Sequence, residues 1–370
     1  MEQMLNSEEK KASSVPYLRP PFTYGDVKRA IPPHCFERSV ITSFSYLLSD
    51  LAIIFSLFYI FTTYIKEPVL ISWIIYSLLQ GSFLVGLWMI GHECSHHAFS
   101  DYQWLDDTVG FIIHSLLLFP YFSFKYTHGH HHSRTGSLHY EGTNPPMLKS
   151  QVPSFFKHLS NTAVRFLVIT LLLATGLPLH LLINFRGRDY GRFASHFDPL
   201  GPMFSRNQFF QVLLSDAGFL ATVYGLYNLV LIKGFAWVAF VYGGPYLVMC
   251  AFLMVVLVLN HTHTFVPYYD SSEWDWLRGS LCTIDRDFGI LNKVFHRATN
   301  AHVAHHLFTN MPHYHIEEAT RAFKPILGEH YHYDDTPFYK SFWITIKECV
   351  YVEEDKDDQN KGLYWFRNKF

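Results

Sequence analysis

The sequence predicts an all-α integral membrane protein, with four transmembrane helices in two hairpins beneath a cytosolic helical cap. Three observations carry this expectation. Hydrophobic residues make up 49% of the 370-residue chain and charged residues only 16%, against about 25% charged in soluble domains. Apolar runs of spanning length come in adjacent pairs. Histidine, at 23 residues, gathers into three short clusters, each beside an apolar segment.

Residues 1–43 read as a cytosolic N-terminal arm and 44–370 as the membrane domain. Residues 1–14 form a polar tail expected to be disordered, and residues 1–11 lack the apolar core of a signal peptide. Residues 16–33 are broken by prolines and carry Arg19, Lys28 and Arg29. Residues 44–65 and 70–90 each have the roughly 20 residues a spanning helix needs, joined by the turn Lys66-Glu67-Pro68. Residues 109–122, closed by Pro120, are too short to span and read as interfacial or re-entrant. Residues 164–185 contain Pro178, His180 and Asn184 and also read as interfacial. Residues 209–232 and 235–259 make the second hairpin, with Lys233-Gly234 at its tip. Residues 261–370 have mixed polarity and read as a cytosolic C-terminal part.

Parity sets the topology. Histidine clusters that serve one site must share a membrane face, so an even number of crossings separates them. The two hairpin tips carry Lys66 and Lys233, whereas the opposite side carries Arg19, Lys28, Arg29, Arg38, Arg186, Arg188, Arg192 and Arg206. The positive-inside rule places that basic side, the clusters and both termini in the cytosol. A net charge of −2 gives no reason to expect nucleic acid as a partner. The five cysteines are scattered, with no C-x-x-C, which disfavours a disulfide framework or a thiolate zinc site.

The first cluster is Gly91-His92-Glu93-Cys94-Ser95-His96-His97, at the end of the second apolar run. His92 and His96 are i, i+4 and share a helix face. The second, His128-Gly129-His130-His131-His132, and the third, His302-Val303-Ala304-His305-His306, both contain H-x-x-H-H. Neutral imidazole is the commonest metal ligand. Together the clusters offer about eight ligand nitrogens, enough for two metal ions. His92 to His96 also fits H-E-x-x-H, the zinc-protease helix with Glu93 as base, but that reading leaves the other clusters unexplained. A non-enzymatic zinc carrier is the third class, and it would tolerate loss of single histidines.

The three boxes resemble those of the membrane fatty acid desaturase and hydroxylase superfamily. Longer strings are similar to the plant microsomal oleate Δ12-desaturase family. They are Pro20-Pro21-Phe22-Thr23, Ala30-Ile31-Pro32-Pro33-His34-Cys35-Phe36, Ala98-Phe99-Ser100-Asp101-Tyr102-Gln103-Trp104, Asp270 to Gly279, and Met311-Pro312-His313-Tyr314-His315. The resemblance covers about residues 16–370. It implies two non-haem Fe2+ ions, an acyl chain on a phospholipid as substrate, O2 as oxidant, and electrons from cytochrome b5 and its NADH-dependent reductase. It also implies the endoplasmic reticulum membrane, where the C-terminal Phe366-Arg367-Asn368-Lys369-Phe370 resembles an aromatic retrieval signal. Assembly into a homo-oligomer stays open.

Carried over by position, the resemblance implies as ligands, which would also be the catalytic residues, His92, His96, His97, His128, His131, His132, His302, His305 and His306. One more metal ligand is expected after the fourth span, where His261 is the first choice and His263 the second. Glu93 and Asp101 are candidates to orient imidazole N–H groups. His130 reads as peripheral, and His313, His315, His114, His180 and His196 read as structural.

The chain departs from ordinary members of the family near the boxes. They have Ala and Gly where this chain has Gly91 and Ser95, two arginines in place of Gly129 and His130, and an acidic stretch in place of residues 138–146. Asn300-Ala301 stands for a common Asp-Thr. Gly91 resembles the divergent branch of acetylenases, conjugases and epoxygenases. The expected activity is therefore acetylenic or conjugated modification of a C18 chain near Δ12, with ordinary oleate Δ12-desaturation as the alternative.

Overall fold

The computed structural model describes residues 19–65, 69–357 and 360–370. The tail at 1–14 and the turn at 66–68 lie outside the described residues. A short arm helix, α1 (Tyr24–Ala30), precedes α2 (Val40–Tyr64) and α3 (Leu70–Ser95). Next come α4 (Gln103–Leu116), α5 (Tyr121–Arg134), α6 (Thr162–Ile183), α7 (Phe209–Lys233) and α8 (Gly244–His261). The C-terminal part adds α9 (His302–Leu307), α10 (His313–Leu327) and α11 (Phe338–Glu348).

Among the described residues, five helical stretches are long and apolar enough to cross a membrane: Val40–Tyr64, Leu70–Ser95, Thr162–Ile183, Arg206–Lys233 and Phe235–His261. A sixth candidate is the pair α4 and α5, bent by 107°. Large apolar side chains stand exposed along α2 and α7, among them Ile41, Phe55, Phe210, Leu220 and Tyr224. Contiguous apolar surface of this extent is stable against lipid rather than water.

The apolar segment expected at 109–122 is divided. The chain leaves α4 at Leu116, passes Leu118 at φ 52° and Pro120, and restarts as α5 at Tyr121. Proline at 120 removes a backbone donor, so α4 cannot run on through it. The second box consequently sits on a helix of its own.

The inner helices α3 and α8 pack closely. A Cβ at Gly81 would lie 2.6 Å from Val248 Cβ and 2.7 Å from the Pro245 carbonyl, so only glycine permits this approach. Pro245 cannot donate to the carbonyl of Val241, and the chain just before it widens into a π-turn, Ala239–Gly243. The Val241 carbonyl instead accepts from Tyr76 Oη of α3 at 3.2 Å.

The fold is mostly helical, but not wholly so. Strands β1 (Tyr268–Tyr269), β4 (Tyr351–Glu354) and β5 (Leu363–Arg367) form an antiparallel sheet in the order β1-β5-β4. Strands β2 (Asp285–Arg286) and β3 (Tyr333–Asp334) pair in parallel. The all-α expectation omitted both sheets because strands of two to five residues are too short to show a period in sequence. The C-terminal aromatic tail is built into this part: Phe366 is buried in β5, opposite Val352.

The β2 strand anchors the end of α8. Arg286 is fully buried, and its Nε donates to the Leu259 carbonyl at 2.6 Å while its guanidinium pairs with Asp334. Asn260 Nδ2 donates to the carbonyls of Ile284 and Thr299. Replacing Arg286 by Met should strand Asp334 and the α8 carbonyl and cost about 3–5 kcal/mol. A clear fall in the unfolding temperature of the detergent-purified protein is the expected readout.

Candidate metal centre

Each box rides on a different kind of support. His92 lies in the last turn of α3, and His96 caps it. His128, His131 and His132 fall at i, i+3 and i+4 on α5. His302, His305 and His306 occupy α9, a helix of six residues that is buried throughout. Asp285 Oδ1 accepts from the Val303 N–H at 2.8 Å and so satisfies one of the free donors at the start of α9. Burial pushes the Asp285 carboxyl up to about 6.

The boxes converge. His92, His96, His128, His132 and His305 form one group, and His131, His261 and His306 a second, with the ligand atoms of each group within 4.8 Å of one another. His92 Nε2 lies 2.7 Å from His128 Nε2, and His132 Nε2 lies 3.0 Å from His128 Nε2 and 3.1 Å from His305 Nε2. His302 Nε2 lies 2.8 Å from His261 Nε2 and joins the second group. The groups adjoin, with the rings of His132 and His306 stacked at 4.0 Å.

The donor set fits metal ions. Nitrogen lone pairs this close repel unless a proton or a cation lies between them. His96 Nε2 and His306 Nε2 are buried with no hydrogen-bond partner among the described residues. Burial first, and then the neighbouring imidazoles, hold His305 and His306 well below the usual histidine range, and His302 down to about 3. They are therefore neutral, the form that donates a lone pair.

The orienting groups differ from those expected. Glu141 Oε1 holds His131 Nδ1 at 2.7 Å, the Ala298 carbonyl holds His302 Nδ1 at 3.0 Å, and Thr135 Oγ1 lies 3.3 Å from His306 Nδ1. Such partners fix the tautomer and aim Nε2 inward. Glu93 instead accepts from the His313 N–H at 2.9 Å and caps α10. Asp101 is exposed and pairs with Arg38 at 2.8 Å. Sequence reasoning missed Glu141 because its contact comes from the loop after α5, with no spacing to mark it.

Two histidines named from the sequence stand outside both groups. The chain turns at His97, φ 57°, and its Nδ1 lies 2.7 Å from Asp106 Oδ2. His263 accepts from the Phe265 N–H at 3.3 Å and packs on the Phe265 ring. Of the two histidines offered after the last span, His261 is the one the structure brings to the centre. His130 and Gly129 are exposed.

A mostly apolar cavity reaches the imidazoles. Its apolar wall includes Trp88 and Met89 of α3, Leu177 of α6, and Leu253, Met254 and Leu257 of α8. Gly91 acts on this wall indirectly. A Cβ there would meet His114 at 2.4 Å. His114 stacks on Trp88, which stacks on His92, with ring centroids 5.2 and 5.6 Å apart. Ser95 turns to its own helix and donates to the His92 carbonyl at 2.7 Å.

A family model for fatty acid desaturases matches residues 68–338, and a domain of unknown function, DUF3474, matches residues 1–58. The chain belongs to the fatty acid desaturase family, a class of oxidoreductases that act on fatty acyl chains. It is 53% identical to a Δ12 fatty-acid desaturase of Vernicia fordii over 98% of this chain and 96% of that protein. It is also 53% identical to an omega-6 fatty acid desaturase of Glycine max, an endoplasmic reticulum isozyme, with the same coverage of both chains. A bifunctional desaturase/conjugase of Vernicia fordii is 49% identical over 98% of this chain and 95% of that protein.

Glu141→Ala should free the His131 ring and weaken metal retention about 10–100-fold. Chelator competition followed by metal analysis of the purified protein measures it, and unchanged retention would remove Glu141 from this role.

Proposed function

We propose that the protein is a non-haem di-iron oxidase of the endoplasmic reticulum membrane. It uses O2 to desaturate a C18 acyl chain on a phospholipid near Δ12, or to convert an existing double bond there to an acetylenic or conjugated product. The observation that carries this reading is the pair of adjoining imidazole groups at an apolar cavity. His92, His96, His128, His132 and His305 would hold one iron, and His131, His261, His302 and His306 the other. Bound iron would supply the activation of O2 that no acid–base side chain can provide. The protein's own residues do the rest. Glu141 and the Ala298 carbonyl hold the outer imidazole protons, and the apolar wall from Trp88 to Leu257 orients the chain and excludes water. Electrons would come from cytochrome b5 and its NADH-dependent reductase.

A four-span topology suits this site. His92 touches His128, so the stretch between them begins and ends at one level and the bent pair α4 and α5 makes no net crossing. His131 touches His261, so one of α6, α7 and α8 does not cross. The best choice is α6. Near its start, Arg165 is buried with its guanidinium 4.2 Å from the Trp343 ring of α11. Near its end, His180 lines the metal-side cavity. Both ends of α6 thus meet parts that lie with the centre. Cytosolic orientation of that side rests on the basic residues opposite the hairpin tips.

The divergent product rests on Gly91. Alanine there would displace His114, move Trp88 and reshape the wall beside His92. Expression in yeast fed oleate or linoleate, with mass spectrometry of the fatty acids, is the deciding test. Acetylenic or conjugated C18 products from linoleate are expected. Linoleate as the sole product would return the protein to ordinary Δ12-desaturation, the activity named for the first of the Vernicia fordii relatives. Gly91→Ala should shift the product ratio toward linoleate while iron content holds. His96→Ala, His131→Ala and His305→Ala should each abolish turnover, and a zinc carrier would not depend on any one of them. Finding one zinc and no iron in anaerobically purified protein would defeat the di-iron reading.

A further inference from the structure

The arm ahead of α2 carries a donor cluster that the oxidase chemistry does not use. Pro33–Phe36 forms a single 3-10 turn, closed by the Cys35 N–H on the Pro32 carbonyl at 3.0 Å. The turn presents His34 and Cys35 side by side. It faces α10, where His315 and Glu318 stand at i, i+3 on one side of the helix. The four potential ligand atoms of His34, Cys35, His315 and Glu318 lie within 4.8 Å of one another. His34 Nε2 is 3.1 Å from Glu318 Oε2 and 3.8 Å from Cys35 Sγ, and the His34 and His315 rings are 5.5 Å apart.

We infer that His34, Cys35, His315 and Glu318 form a structural zinc site that pins the N-terminal arm to α10. Two imidazoles, one thiolate and one carboxylate are a mixed N/S/O set suited to tetrahedral Zn2+, and four protein ligands leave no open position for catalysis. The thiolate distinguishes this donor set from the all-imidazole centre. Cys35 is fully buried among Val27, Ile31 and Ile316, so the apolar contact between arm and helix fixes one ligand in advance. His34 and Glu318 are half-exposed, which gives an ion a way in and lets both side chains close on it. Binding displaces the thiol proton to solvent as the zinc–sulfur bond forms.

The location gives the site a purpose. The first residue of α10, His313, donates its N–H to Glu93, next to His92. A pin at His315 fixes the start of α10 and, through Glu93, the end of α3 that carries the first box. This inference does not need iron or turnover, so it stands or falls separately from the proposed reaction.

X-ray absorption at the zinc edge of the full-length protein, purified in detergent and supplied with zinc, tests it. A sulfur shell at about 2.3 Å is expected, because zinc held by imidazoles alone would show none. Cys35→Ser should remove that shell. His34→Ala, at a half-exposed position that leaves the core intact, should release one zinc equivalent per chain. Absence of sulfur in the wild-type spectrum, or a sulfur shell that survives Cys35→Ser, would overturn the site.

Discussion

The structure depends on one constraint: neutral imidazoles from three distant segments must be held within contact of one another, away from water. His92 at the end of α3, His128 and His132 on α5 and His305 on α9 approach through their Nε2 atoms. Uncompensated, such crowding is unfavourable, since each lone pair faces another. Much of the fold can be read as the means of enforcing it. The Gly81 contact brings α3 and α8 together, the break at Leu118 and Pro120 turns α5 back toward α3, and Arg286 with Asn260 ties the end of α8 to the segment leading to α9.

The box histidines were legible because i, i+3 and i+4 spacing is a local signal, and apolar runs mark their neighbourhood. The long apolar helices were legible to within a few residues because runs of about 20 apolar residues mark themselves, but the segment at 109–122 was not, since the break at Pro120 divides it between α4 and α5. What escaped was tertiary. Glu141 reaches His131 across a loop with no repeat, while Glu93, the carboxylate nearest a box in sequence, caps α10 instead. His97 looked equivalent to His96, yet the turn at His97 sends the two imidazoles to different partners. The sheets escaped because their strands are short, and the aromatic tail drew attention for its composition rather than its pairing.

The departures from the ordinary family pattern also sort themselves by depth. Gly129 and His130 face outward, and Ser95 bonds its own backbone. Gly91 touches a chain of contacts that ends at the cavity, through His114 and Trp88, and in the 138–146 stretch Glu141 holds His131 while Thr143 lines the cavity itself. A small change one layer behind a binding wall can move the wall without altering any group that lines it.

The pairing of His132 with His305 joins residues 173 positions apart. During synthesis, the first hairpin and α5 are made long before α9 exists. Until the ribosome has delivered the C-terminal part, the early imidazoles have no late partners and the nest stays open at one side. Closure of the imidazole nest is therefore a late event in the life of the nascent chain, and the part built last acts as the latch on what was built first.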